Sequence, residues 1–153
     1  MARRDPLSAI RLYLVAVDGS EASSNALAVT CDVARRSRAR VTALYTIEVP
    51  RSLPLDADLA ADLQQGEAVL TTAERTAADH DVRLEGRLLQ ARQAGAALVE
   101  EAAALGADAI VLGLAYHRPY GRFELGPLAE HVLEQARCQV WLIRYPPAPE
   151  AAS

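Results

Sequence analysis

Five short apolar runs alternate with longer stretches of helical periodicity along this chain, and that alternation narrows the fold more than any other feature. Residues 10–17 are almost continuously apolar, the pattern of a strand buried on both faces of a parallel sheet. Residues 40–47, 82–90, 107–113 and 139–145 read as four further strands, the third alternating as an edge strand with one solvated side does. Helix signals fill the gaps. Ser20 is placed to cap a first helix, with Glu21 against its dipole and Ala26, Leu27, Thr30, Val33 and Ala34 on one face. Asp56 or Asp58 can start the longest helix, where Leu59, Leu63, Gly66, Leu70, Ala73 and Ala77 draw one apolar stripe. Gly66 in that stripe implies close packing against a neighbour. A third helix is expected over residues 93–105, with Gly106 just past its end, and a fourth over residues 128–136.

Five strands joined by four helices imply an α/β fold: a doubly wound five-stranded parallel sheet, strand order 3-2-1-4-5, with helices on both faces. Such sheets bind ligands beyond the carboxyl ends of their strands, where the strand order reverses. Here that crevice lies between strands one and four, bordered by Asp18-Gly19-Ser20 and by the loop from Gly113 to Gly126. A glycine ending a strand and another opening a helix suit a backbone that curls around phosphates. Tyr116 and Pro127, however, stand where a phosphate cradle prefers a glycine and a hydroxyl. Pro127 suits the first turn of a helix, but it has neither a backbone N–H nor a hydroxyl to offer a phosphate. The plainer account is that Gly113 ends a strand and Gly126 caps a helix. His117, Arg118 and Arg122 can supply positive charge to the loop, or simply be solvated.

Composition closes several routes. At 153 residues the chain is most simply one domain, residues 10–147, with an N-terminal extension at 1–9 and a flexible tail at 148–153. All 16 basic residues are arginine, so lysine-dependent phosphate loops and Schiff-base chemistry are excluded. A net charge of -4 argues against nucleic-acid binding. No apolar run reaches the roughly 20 residues needed to span a bilayer, and residues 1–6 lead into no signal-peptide core, so a cytoplasmic protein without membrane partners is expected. Cys31 and Cys138 stand far apart, without metal-like spacing to His80, His117 or His131; no metal site is expected and both thiols should be free. His80 and His131 fall on helical segments and are expected to face solvent.

Taken together, the motifs resemble those of the universal stress protein family over nearly the whole domain, from Arg11 to Arg144. The resemblance rests on Val17-Asp18-Gly19-Ser20, on residues 43–48 of strand two, on residues 107–113 of strand four, and on the closing stretches 125–133 and 138–143. It implies a homodimer and, in one branch, ATP held at the switch point. That branch uses Gly, two residues, Gly, nine residues, Gly, then Ser or Thr. Gly113 and Gly126 match its first and third positions, whereas Tyr116 and Pro127 replace the second glycine and the hydroxyl residue. The site residues implied are Asp18, Thr46, Gly113 and Gly126.

The expected function is therefore a stress-response regulatory or signalling dimer that acts through binding, with weak or absent ATP binding. ATP or AMP binding in the strand one/strand four crevice is the alternative. A nucleotide hydrolase built on Asp18, Ser20 and His117 ranks last, because Ser20 is accounted for as a helix cap and no nucleophile elbow is present. No catalytic residue is assigned. Strand five begins at Gln139 and ends at Tyr145; as an apolar edge carrying Trp141 it is the expected dimer contact, with other protein partners unspecified.

Overall fold

The structure, a computed structural model, describes residues 6–116, 118 and 121–146. A 3-10 turn at Pro6–Ala9 leads into β1 (Leu12–Ala16), α1 (Glu21–Ser37), β2 (Arg40–Glu48), α2 (Ala60–Asp79) and β3 (Leu84–Ala91). The second half of the chain adds α3 (Ala94–Leu105), β4 (Ala109–Leu114), α4 (Pro127–Gln135) and β5 (Gln139–Arg144). All strand pairs are parallel and the order is β3-β2-β1-β4-β5, as the alternation of elements requires. The tail at residues 148–153 lies outside the described residues.

Period-two geometry sends successive strand side chains to opposite faces, and each face has its own core. Tyr13, Val15, Val41, Ala43 and Val111 pack on one side with Ala26, Leu27 and Cys31 of α1 and Leu70, Ala73 and Ala77 of α2. Leu14, Leu44, Ile110 and Leu112 pack on the other with Leu98 and Ala102 of α3 and Ala129 and Val132 of α4. Each fully buried leucine or valine contributes about 1.5–3 kcal/mol, so the central strands anchor the fold. The Asp108 carboxylate accepts from the N–H groups of Arg11 and Leu12, at 2.9 and 3.2 Å, and ties the starts of β1 and β4 together.

Local signals explain most boundaries. The Ser20 hydroxyl accepts from the Ser23 N–H at 3.2 Å to cap α1, and Gly106 ends α3 in the left-handed conformation at φ 68. A β-carbon at Gly66 would come within 2.6 Å of Leu88 and 2.7 Å of Tyr45, so this glycine lets α2 lie directly on the sheet. Helix α2 starts at Ala60, later than Asp56 or Asp58 would set it, and its N-cap Leu59 makes no side-chain bond. The connection before it is held from β3 instead. The Gln90 side-chain amide donates to the carbonyls of Leu55 and Ala57, and the Arg92 guanidinium to those of Pro50 and Leu53. Strand β3 is an edge strand but lacks the expected alternation: Arg87 to Ala91 are all half-buried. Helices α2 and α3 both contact the strand, and within it only Glu85 and Gly86 stay exposed.

Candidate functional site

Strand β1 ends beside both β2 and β4, and the chain leaves it toward opposite edges of the sheet, which opens a crevice at the carboxyl ends. That crevice holds about 300 Å³ and is lined by Asp18, Thr46, Glu48 and Gly113 on a largely leucine wall. Three of the four residues expected from the sequence, Asp18, Thr46 and Gly113, therefore meet there. Gly126 does not line it, although Leu128, two residues further on, does.

Asp18 is fixed by the turn into α1. Its Oδ1 accepts from the Ser20 N–H at 2.8 Å, and its own N–H donates to the Ser23 hydroxyl at 3.2 Å. Ser23 Oγ in turn donates to the Ser20 carbonyl at 3.2 Å, which closes a small polar network at the helix start. Burial pushes the Asp18 carboxyl up, but hydrogen bonds from Ser20 and Ser23 outweigh it and hold the group below its ordinary value. Gly19 completes the turn at φ 85.

The two motif glycines have different physical reasons. A β-carbon at Gly113 would stand 2.2 Å from the Ala22 carbonyl oxygen, so glycine here admits the first turn of α1 onto β4. At Gly126 a β-carbon would meet nothing within 4 Å, but φ is 86, a conformation that favours glycine. Gly126 is the N-cap of α4 and Pro127 its first residue, as anticipated; no side chain caps this end.

The loop between them is organised around Tyr116. Its ring stacks on Phe123 at 5.7 Å between centroids, and the Arg144 guanidinium lies 5.0 Å from Tyr116 and 5.5 Å from Phe123. Arg118 donates to the Gly121 carbonyl, Arg122 is exposed, and His117 lies outside the described residues. Neither of the other histidines faces solvent freely. His80 Nδ1 is 2.8 Å from the Thr76 carbonyl oxygen, and the His131 ring packs against Gly95 in a hollow that adjoins the crevice through Glu48. His80 folds back onto its own helix, and His131 faces α3, which packs against α4.

Glu48 and Ser23 are lining residues that the sequence reading did not single out as site residues. Glu48 is the last residue of β2, and the carboxyl end of a strand beside the switch point was the available signal. Among the described residues, no group of three His, Cys, Asp or Glu side chains is suited to a metal ion, and no helix is long and apolar enough to cross a membrane. Cys31 is buried, Cys138 is half-buried, and both are free thiols.

A parallel five-stranded sheet of order β3-β2-β1-β4-β5, with helices on both faces and a crevice at its switch point, defines a doubly wound α/β protein. Residues 11–144 match the model of the universal stress protein family, and the chain belongs to that family. A universal stress protein of Methanocaldococcus jannaschii is 27% identical over 139 residues, covering 87% of this chain and 81% of that protein. A family member from Burkholderia pseudomallei superposes with a TM-score of 0.72 at 26% identity, covering 92% of this chain and 98% of the other. The universal stress protein of Archaeoglobus fulgidus solved in complex with dAMP superposes at 0.69 with 19% identity, covering 88% and 97%.

Proposed function

We propose that this chain is a stress-response regulatory dimer that acts through binding, and that its crevice has largely lost the ability to hold a triphosphate. Asp18, Thr46 and Gly113 provide the nucleoside end of the site and Gly126 its phosphate rim. The observation that carries this reading is the composition of that rim. Pro127 opens α4 without an N–H, and the Tyr116 ring is engaged with Phe123 and Arg144 beside it. A phosphate arriving there meets fewer donors than a glycine-serine rim would offer.

Retention of an adenine nucleotide is the second reading, supported by the crevice itself and by the dAMP complex of the A. fulgidus protein. Mass spectrometry of small molecules released from freshly purified protein separates the two. An empty or substoichiometric site is expected. Stoichiometric ATP would overturn the first reading, and slow turnover of that ATP would bring back a nucleotide hydrolase.

Dimerisation is assigned to β5, an edge strand whose outer side carries no neighbouring strand among the described residues. Trp141 is half-buried: one edge meets Tyr13 at 5.2 Å, and its Nε1 donates to Gln139 at 3.1 Å. Sedimentation at micromolar concentration should give twice the chain mass, and a monomer would remove the dimer from this account.

A further inference from the structure

Four of the five strands enter the sheet through an arginine. Arg11 stands just before β1, Arg40 opens β2, Arg83 stands just before β3, and Arg137 lies two residues before β5. Parallel pairing brings every strand start to one edge, so in spatial order that edge reads Arg83, Arg40, Arg11, Asp108, Arg137. The Arg40 N–H donates to the Arg11 carbonyl at 2.8 Å. Val41 is paired with Leu84, which sets Arg40 and Arg83, one residue earlier, at neighbouring positions on β2 and β3. Arg38, just past α1, adds a further guanidinium at this end.

All five side chains are exposed, and none makes an ion pair among the described residues. The carboxylates at this end are mostly committed elsewhere. Asp32 pairs with Arg36 at 3.2 Å, Asp81 with Arg35 at 3.6 Å, and Glu85 with Arg87 at 3.2 Å. Asp108 accepts the N–H groups of Arg11 and Leu12. Asp79 and Glu134 remain, at the ends of α2 and α4 in the helix layers on either side of the sheet.

Like charges opposite each other on neighbouring strands are destabilising, so Arg40 and Arg83 repel until a counter-charge arrives. Strands lie about 4.8 Å apart, and the row from Arg83 to Arg11 therefore spans about 10 Å. Guanidinium forks bind carboxylates bidentately. On an extended chain every second side chain shares a face, about 6.8 Å apart, so two or three carboxylates match the row.

We propose that the amino edge of the sheet, centred on Arg83, Arg40 and Arg11, is a docking surface for a short acidic segment of a partner protein. A longer polyanion fits less well. The chain carries a net charge of -4, and Asp79 and Glu134 flank the row, so a nucleic acid or an anionic lipid surface reaching past it meets repulsion. This edge lies at the opposite end of the strands from the crevice, and the proposal does not depend on what the crevice holds.

Fluorescence anisotropy with a labelled, end-capped peptide of alternating glutamate and glycine tests the proposal, with the glutamine analogue as control. The unmodified protein should bind the glutamate peptide alone, and raising the salt to about 0.5 M should weaken that binding about tenfold or more. Arg40→Gln and Arg83→Gln should each weaken it about two- to fivefold, and the double variant about tenfold. Arg51→Gln removes the same charge from the exposed connection after β2 and should leave binding unchanged. Each of the first two variants should also raise the urea midpoint of the free protein, because it relieves the repulsion. No binding at low salt would overturn the proposal. An equal loss in Arg51→Gln would overturn it too, since net charge alone would then attract the peptide. Duplex DNA or phosphatidylserine vesicles bound more tightly than the peptide, and released by the double variant, would reassign the edge to a nucleic acid or a lipid surface and overturn the assignment to a protein segment.

Discussion

A β-carbon added to Gly113 would lie 2.2 Å from the carbonyl oxygen of Ala22, which makes this glycine a packing requirement of α1 on β4. The obstruction is backbone, and Ala26 Cβ stands behind it at 2.9 Å, so relief needs a shift of the whole helix start. Gly113→Ala should therefore cost about 1–3 kcal/mol, read as a lowered urea midpoint. Gly126→Ala, in open space at φ 86, should cost about 1–2 kcal/mol through backbone strain alone, with α1 unmoved. Equal behaviour of the core amides in hydrogen exchange for the two variants would contradict this division.

Asp18 adds a stability increment with a defined pH window. Its folded carboxyl is held below the ordinary value, so the increment is present in full above the unfolded value of about 3.9 and disappears as pH falls through the lower folded value. Asp18→Asn should be less stable than the parent near neutral pH and converge with it in acid. The group is exposed, so solvent screening keeps the difference below about 1 kcal/mol. A gap that widens on acidification would refute the assignment.

Arg38 ends α1 at φ 58, a left-handed conformation in which its N–H reaches the carbonyls of Ala34 and Arg35. The backbone bond needs no side chain, and the residue is exposed. Arg38→Gly should stabilise the protein by about 0.5–1 kcal/mol, the relieved strain being partly offset by the greater freedom of glycine in the unfolded chain. Thermal unfolding should shift up by about 2–4 °C per kcal/mol gained.

Tyr116→Gly combined with Pro127→Ser tests the phosphate rim. Serine restores an N–H and a hydroxyl at the start of α4, and glycine frees the loop backbone from the Phe123 stack. One recovered bond to a charged phosphate is worth about 1.5–3 kcal/mol, so ATP affinity should rise about tenfold or more in calorimetry. Unchanged affinity would mean that the rim residues do not limit phosphate binding.

The central architecture was legible because its causes are local. The apolar run 10–17, the cap at Ser20, Gly106 after α3 and Pro127 at the head of α4 all act within a few residues of the boundaries they set. The start of α2 was not legible, since the preceding turn is held by Gln90 and Arg92, which are more than 30 residues away in sequence. A similar separation hid the burial of His131, which meets Gly95 of α3. At the crevice, the switch-point argument and the family resemblance named Asp18, Thr46 and Gly113, which line it, but neither marked Glu48 as a lining residue. They also could not show that Gly113 answers to a helix, or that Tyr116 answers to Phe123 of its own loop and to Arg144 at the end of β5.

The last residue of the outermost strand, Arg144, rests on rings that belong to the loop beside the crevice. Margin and mouth of the molecule are thereby fastened to each other by a contact that bypasses both cores. A partner gripping β5 would hold the rim of the binding site by the same handle.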